Sequence, residues 1–451
     1  MLGKVGVLNG PKIYWAANGA RGGAGVYRST FKKLSIYDLG SRIKGKRVLI
    51  RCDFNGTAKN GEIFSPTRID AALDTIKHVM EQGASQIVLL SHNGRNKQIK
   101  AEGEGVYTLE PVAQYLTGQL GIKVDFVKGF GKPLTSQAGV VLMGNTRADA
   151  RDEAKDPAAN KAYAEEILAT TNPDVYIIDG FSVCHRDQAS VTWPAKLMKE
   201  QGKAAVAGHL LAEEYKFFID SVVNNPQKPF LVFLGGAKVE SKLPILEALL
   251  ANVDQIVIGG AMAFPFMLEK GYKVEAMDPF ASREGRAEEL SRERVIAGRI
   301  LQGINGPKVI IPTQIVGRDR TIIDIDSKDP APEGFVMKDI LATELFSGLQ
   351  AVGYKTIFFN GTFGAYEEKL GGHVEGTNAV LSFMGDQTKK GAITIPGGGD
   401  TITVLKGLRK IREVSFYHET TGGGASGSLI TLGFAGDPES LPGFACLTDK
   451  A

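Results

Sequence analysis

Cysteine is scarce in this 451-residue chain: Cys52, Cys184 and Cys446 are odd in number and far apart. That argues against a disulfide framework or a zinc cluster and predicts a reducing, cytoplasmic-type compartment. The chain has little excess charge of either sign. Its 53 Lys and Arg against 50 Asp and Glu leave +3, too little to predict a nucleic-acid or membrane-surface partner. No apolar run reaches about eighteen residues, so no membrane-spanning helix is predicted. The P-loop pattern GxxxxGK[ST] is missing, and so is the protein-kinase catalytic-loop pattern HRDLxxxN, which argues against both classes. The six histidines show no metal-ligand spacing.

Glycine is plentiful, with 55 residues and no repeat period, so its place is in turns and ligand loops. The length predicts two domains. Short apolar runs recur at residues 47–54, 86–92, 139–145, 174–180 and 204–208. They recur again at 230–236, 255–260, 308–312, 355–361, 392–398 and 413–418. Near-continuous apolar runs separated by helical stretches predict parallel strands covered on both faces. The expected fold is α/β: two doubly wound, Rossmann-like parallel-sheet domains joined by a helical hinge. The boundaries read as 1–33 for an N-terminal extension, 34–211 and 230–430 for the domains, and 431–451 for a tail. The connector is 212–229, where Tyr215, Phe218, Ile219, Val222 and Val223 fit one helix face. The stretch 1–37 has six Lys and Arg and no acid, which fits either an unstructured extension or an organelle-targeting segment.

Ligands of open parallel sheets bind beyond the carboxyl ends of the strands. In the first half those ends carry Asp53 and Asn55, His92 and Arg95 (SHNGR), Arg147 (GNTRA), and His185 and Arg186 (CHR), with Arg68 in SPTRI. Guanidinium forks grouped this way predict a small polyanionic ligand. In the second half the ends are LGGAK with Gly236, IGGAM with Gly260, NGTFG, IPGGGDT and TGGGAS. Bare backbone at a helix start cradles phosphate. Asp400, next to Gly398, Gly399 and Thr401, is placed to hold a magnesium ion bridging phosphates. Lys238 and Lys242, four apart on an expected helix, would neutralise a transferring group. The charged run REGRAEELSRER (283–294) reads as a solvated helix face.

The segments RCDFN, SHNGR, DGFSVCHR, FLVFLGGAKVESK, IGGAMAF, NGTFGAYE, IPGGGDT, TGGGAS and LPGFACL occur in one order from about residue 34 to 447. In that combination the chain resembles the phosphoglycerate kinase family. The resemblance implies ATP or ADP with Mg²⁺, and 3-phosphoglycerate or 1,3-bisphosphoglycerate as the partner ligand. It also implies a monomer that closes by a hinge, with its tail packed on the first domain. By position it implies that Asp53, Asn55, Arg68, His92, Arg95, Arg147 and Arg186 bind the phosphoglycerate. Arg68, Lys238 and Lys242 would be catalytic. Gly236, Lys242, Gly260, Asn360, Glu367, Gly398, Gly399, Asp400 and Thr401 would serve the nucleotide.

The chain departs from the family's pattern in places. DFNVP is DFNGT, SHLGRP is SHNGRN, and ENLRF is GNTRA, which predicts weaker support under the substrate loops. NGPVGVFE is NGTFGAYE, bringing Thr362 and Ala365, and GLDIGP is MKDILA, bringing Met337. These predict an altered base pocket. Two other readings compete: a catalytically impaired binding protein, and a Rossmann dehydrogenase using GGGASG at 422–427.

Overall fold

The structure, a computed structural model, describes residues 31–237, 239–327, 332–367 and 371–450. Most of the N-terminal extension and Lys238 lie outside the described residues. The first half contributes β1 (Arg47–Arg51), a short antiparallel pair β2 (Ala58–Lys59) and β3 (Glu62–Ile63), then β4 (Gln86–Leu90), β5 (Val124–Val127), β6 (Val140–Met143), β7 (Val175–Ile178) and β8 (Ala204–Ala207). Six of these form a parallel sheet in the order β5-β6-β4-β1-β7-β8. The second half contributes β9 (Phe230–Leu234), β10 (Gln255–Ile258), β11 (Val309–Ile310), β12 (Gln314–Gly317), β13 (Ile322–Asp324), β14 (Met337–Leu341), β15 (Thr356–Asn360) and β16 (Ile393–Gly397). Its parallel sheet runs β11-β10-β9-β15-β16, beside a three-stranded sheet β13-β12-β14 that is antiparallel.

The strands are apolar on both faces because both faces are covered. Val48, Ile50, Ile87, Leu89, Val140, Leu142 and Ile177 pack on one side of the first sheet. Leu49, Val88, Leu90, Val141, Met143, Tyr176 and Ile178 pack on the other. Burying each such side chain contributes roughly 1.5–3 kcal/mol. The second of these cores runs on through Tyr215, Phe217, Phe218, Ile219 and Val222 into the core around β9 and β15. Those aromatics sit on the helix His209–Lys216 and its π-helical continuation Phe217–Val223. The helix therefore begins three residues before the expected connector. Its wider π turn coincides with the crowded Phe217–Phe218 pair. At the other end of the chain, Thr448 N–H donates to Ala205 O (2.8 Å) and Leu34 N–H to Thr448 O (2.7 Å). These bonds lay the last residues along β8, whose edge would otherwise be open.

Three elements depart from the sequence reading. Residues 413–418 do not form a strand: they run beside β16, where His418 N–H donates to Thr394 O (3.2 Å), but the one bridge, Gly397 to Thr420, falls beyond them, and only Val414 and His418 are buried. The run 283–294 is solvated on one side only: Glu284, Ala287, Glu288, Arg292 and Arg294 are exposed, but Arg286, Glu289 and Glu293 are buried. Arg286 pairs there with Asp278 (2.7 Å), Glu293 (2.9 Å) and Glu289 (3.3 Å). The lysine loop is not a helix reaching back from Lys242. Glu240–Lys242 is a 3₁₀ turn and the helix is Leu243–Asn252 with Lys242 as its N-cap; the expected pairing of Lys242 with Lys238 lies outside the described residues.

Candidate active site

In the first sheet the chain leaves β1 for β4 on one side and leaves its neighbour β7 for β8 on the other, so a crevice opens at the carboxyl ends of β1 and β7. Asp53 organises it. Its carboxylate accepts from the Arg68 guanidinium, the Ser182 hydroxyl and, at 2.9 Å, the Asn55 N–H. It is buried and already well supplied with donors, so it holds Arg68 in place. His92 is buried with its Nδ1 3.2 Å from Arg51 Nη2. Burial pushes the imidazole well below its ordinary range, and Arg147, Arg51, Arg68 and Arg186 push it further. It stands neutral among cations. Arg147 is buried, bonded to Gly94 O (3.1 Å) and paired with Glu153 (3.1 Å). Burial lowers it to about 10. Arg95 and Arg186 are exposed at the rim. The region holds five arginines, and the acids near them are Asp53, Glu153 and Asp152, a field that favours an anion.

Sequence reasoning missed Arg51 and Ser182. Arg51 stood inside the quoted RCDFN segment, but an arginine in an apolar strand gives no signal of its own. It lies fully buried, donating to Ser190 Oγ (3.1 Å) and to Cys52 O. The expected loss of support at SHNGRN is replaced by hydrogen bonds. Asn93 accepts from Gly56 N–H (3.0 Å) and donates to Ala58 O (2.7 Å), while its own N–H donates to Asn145 Oδ1 (3.1 Å).

In the second sheet the switch lies between β9 and β15. Asn360 ends β15, and its Nδ2 donates to Gly423 O (2.8 Å). Lys242 brings its ammonium within 3.2 Å of both Asn360 O and Oδ1. Burial lowers the lysine to about 8, with Asp400 acting to raise it. Gly398, at φ +97°, caps the helix Gly399–Leu408, a conformation L side chains rarely adopt. Asp400 and Thr401 follow in its first turn. Thr401 Oγ1 is buried without a partner among the described residues, and Tyr366 donates its hydroxyl to Asp400 Oδ1 (2.7 Å). Burial and the Asp400 charge push that phenol well up, with Arg95 opposing. Glu367 follows on the same loop, half-buried.

The glycine pairs divide into two kinds. A Cβ at Gly235 would lie 2.4 Å from Thr362 O, one at Gly259 2.3 Å from the Phe363 ring, and one at Gly260 2.7 Å from Gly236 N. These positions are bare because the NGTF loop lies directly on them. Gly236, Gly398 and Gly399 instead border the space around Lys242 and Asp400. Of the substituted positions, Ala365 donates its N–H to Lys338 O (2.9 Å) on β14, the residue after Met337.

The halves meet here. A Cβ at Gly399 would lie 2.6 Å from Arg68 Nη2, and one at Gly424 3.2 Å from His185 Nε2. Lys406 Nζ bonds Ser65 Oγ, and Glu214 in the connecting helix bonds His418 Nε2 (3.0 Å) and Thr420 Oγ1 (2.8 Å). The GGGASG stretch enters the helix Gly424–Phe434 without a preceding strand, which removes the context a dinucleotide fingerprint requires.

A family model described as phosphoglycerate kinase matches residues 36–431. The chain is 36% identical over 437 residues to a phosphoglycerate kinase of Thermosipho africanus, covering 93% of this chain and 98% of that one. It is 34% identical to one of Oenococcus oeni, covering 93% and 100%. Among solved structures, the phosphoglycerate kinase of Pyrococcus horikoshii aligns with a TM-score of 0.70 at 25% identity, and that of Coxiella burnetii with 0.65 at 28%. Each alignment covers 92% of this chain and 98% of the other. The α/β fold with twin parallel sheets, the ordered motifs and these likenesses agree: the chain belongs to the phosphoglycerate kinase family.

Proposed function

We propose that the protein is a phosphoglycerate kinase, transferring a phosphoryl group between 1,3-bisphosphoglycerate with ADP and 3-phosphoglycerate with ATP. The observation that carries this reading is Arg68. It is anchored in the first half by Asp53, and its Nη2 faces Gly399 at the start of the phosphate-type helix in the second. One guanidinium thus borders both crevices, where a phosphoryl group in transit would carry its charge. The arginines and His92 would hold the three-carbon acid, and the Gly398–Thr401 turn the nucleotide phosphates.

The acceptor is a carboxylate, ionised at neutral pH, so no general base is required. His92 and His185, both pushed down by burial and neighbouring arginines, fit a site that works by alignment and charge. Lys242 would neutralise the transferring group. Asp400 fits the Mg²⁺ that enters with the nucleotide, since it is a carboxylate in a first helical turn beside the orphaned Thr401 hydroxyl. Bound there, the ion would offset phosphate charge. Packing Arg68 against the helix start would keep water from the acyl phosphate. We take the protein to act as a monomer. Among the described residues no helix is long and apolar enough to cross a membrane.

The test is a coupled assay of 3-phosphoglycerate-dependent ATP consumption beside Lys242→Ala. Turnover in the parent with near-complete loss in the variant is expected. A folded parent that binds both ligands without turnover would instead support the binding-protein reading.

A further inference from the structure

Asp400 is exposed on the first turn of its helix, and an exposed aspartate samples several rotamers. Here one of its oxygens is tied. The Tyr366 hydroxyl donates to Oδ1 at 2.7 Å, the one hydrogen bond the Asp400 carboxylate makes among the described residues. Tyr366 is itself held, half-buried, with its ring packed against the main core. The segment reads NGTFGAYE, whereas the pattern it resembles, NGPVGVFE, has phenylalanine at this place and no hydroxyl to offer. The ring alone would satisfy the packing, so the hydroxyl is an addition, and it is spent on Asp400.

We propose that Tyr366 is a positioning residue for the metal–phosphate end of the nucleotide. Its hydroxyl fixes one carboxylate oxygen of Asp400 and leaves the other for the divalent cation that accompanies the phosphates. This rests on reading the Gly398–Thr401 turn as the phosphate cradle. A carboxylate ordered before binding has less freedom to lose when the cation arrives, and a hydroxyl–carboxylate bond is charge-assisted and directional. The contribution belongs to the metal complex. It does not reach the base, the ribose or the three-carbon acid.

The test is Tyr366→Phe, which keeps the ring and removes the oxygen. Affinity for ADP is measured calorimetrically in excess Mg²⁺ and again in chelator. The variant is expected to bind MgADP roughly three- to tenfold more weakly, to bind metal-free ADP within about twofold of the parent, and to melt at the parent's temperature. In an Asp400→Ala background the same substitution should have no effect on either affinity. Unchanged MgADP affinity in Tyr366→Phe, an equal loss with and without metal, or a loss that persists without the Asp400 carboxylate would each overturn the proposal while leaving the cradle reading intact. A parent that binds no MgADP would overturn both.

Discussion

Lys242 is held where a charge is costly, and the cost can be measured. Burial lowers its ammonium from the ordinary 10.5 to about 8. At about 1.4 kcal/mol per pKa unit, that corresponds to roughly 3 kcal/mol against the charged form in the fold at pH 7. Two contacts from Nζ to Asn360, each 3.2 Å, return about 1 kcal/mol. Lys242→Met keeps the stem, removes the charge, and is expected to stabilise the protein by about 1–2 kcal/mol at pH 7 while abolishing turnover. The pH dependence follows from the direction of the shift. A base whose folded pKa lies below its unfolded one destabilises the fold fully below about pH 8, and the penalty fades as pH rises toward 10.5. The variant's advantage should therefore shrink between pH 8 and 10.5 in paired urea titrations. Phosphate binding needs the ammonium, which is about nine-tenths protonated at pH 7 and one-tenth at pH 9, so MgADP affinity in the parent should fall about tenfold over that range. A Lys242→Met protein no more stable than the parent at pH 7 would refute the claim that this charge is held at a cost.

Gly399→Ala places a methyl 2.6 Å from Arg68 Nη2. Since that atom is the end of a flexible side chain, thermal stability should hardly change, while kcat falls tenfold or more and each substrate still binds. Glu293→Ala removes a buried partner of Arg286 and the acceptor of the Val239 N–H (3.2 Å). It should cost about 3–5 kcal/mol in chemical denaturation. Arg292→Ala breaks only an exposed pair with Glu240 and should cost under about 1 kcal/mol. Asp179 is buried, bonded through Oδ1 to Leu210 N–H (2.9 Å) at the start of the connecting helix, and burial lifts it to about 7. An acid raised in the fold loses stability as pH rises from about 4 to 7. Relative to the parent, Asp179→Asn should gain of the order of 3–4 kcal/mol across that window and show no further gain above it, read from melting temperature against pH.

The central strands were legible because they are buried on both faces: the runs around β1, β4, β9 and β15 leave little but apolar side chains. β5 escaped notice because it is an edge strand with one buried residue, Val124, of four. The sheet β12–β14 escaped because its strands are short, β13 has no buried residue, and β14 interrupts its apolar residues with Lys338 and Asp339, which reads as loop. Residues 413–418 were over-read for the opposite reason, since aromatic and β-branched residues suit a strand whether or not a ladder forms. Arg286, Glu289 and Glu293 looked like surface because charge pairing across a helix face and to Asp278 leaves no trace in hydropathy. Gly235 and Gly259 resembled ligand glycines because close backbone packing and phosphate cradling both demand the absence of a side chain.

What the chain order of residues determines here is local: which stretches are strands, which ends carry arginine and which carry glycine, and hence the family. Tertiary structure alone decides which of those charges act together. It sets Asp53 to hold Arg68, Arg68 against Gly399, and Tyr366 on Asp400. The physical reason is that periodicity and propensity act over a few residues, whereas hydrogen bonding, burial and charge act through space between groups from 15 to more than three hundred positions apart.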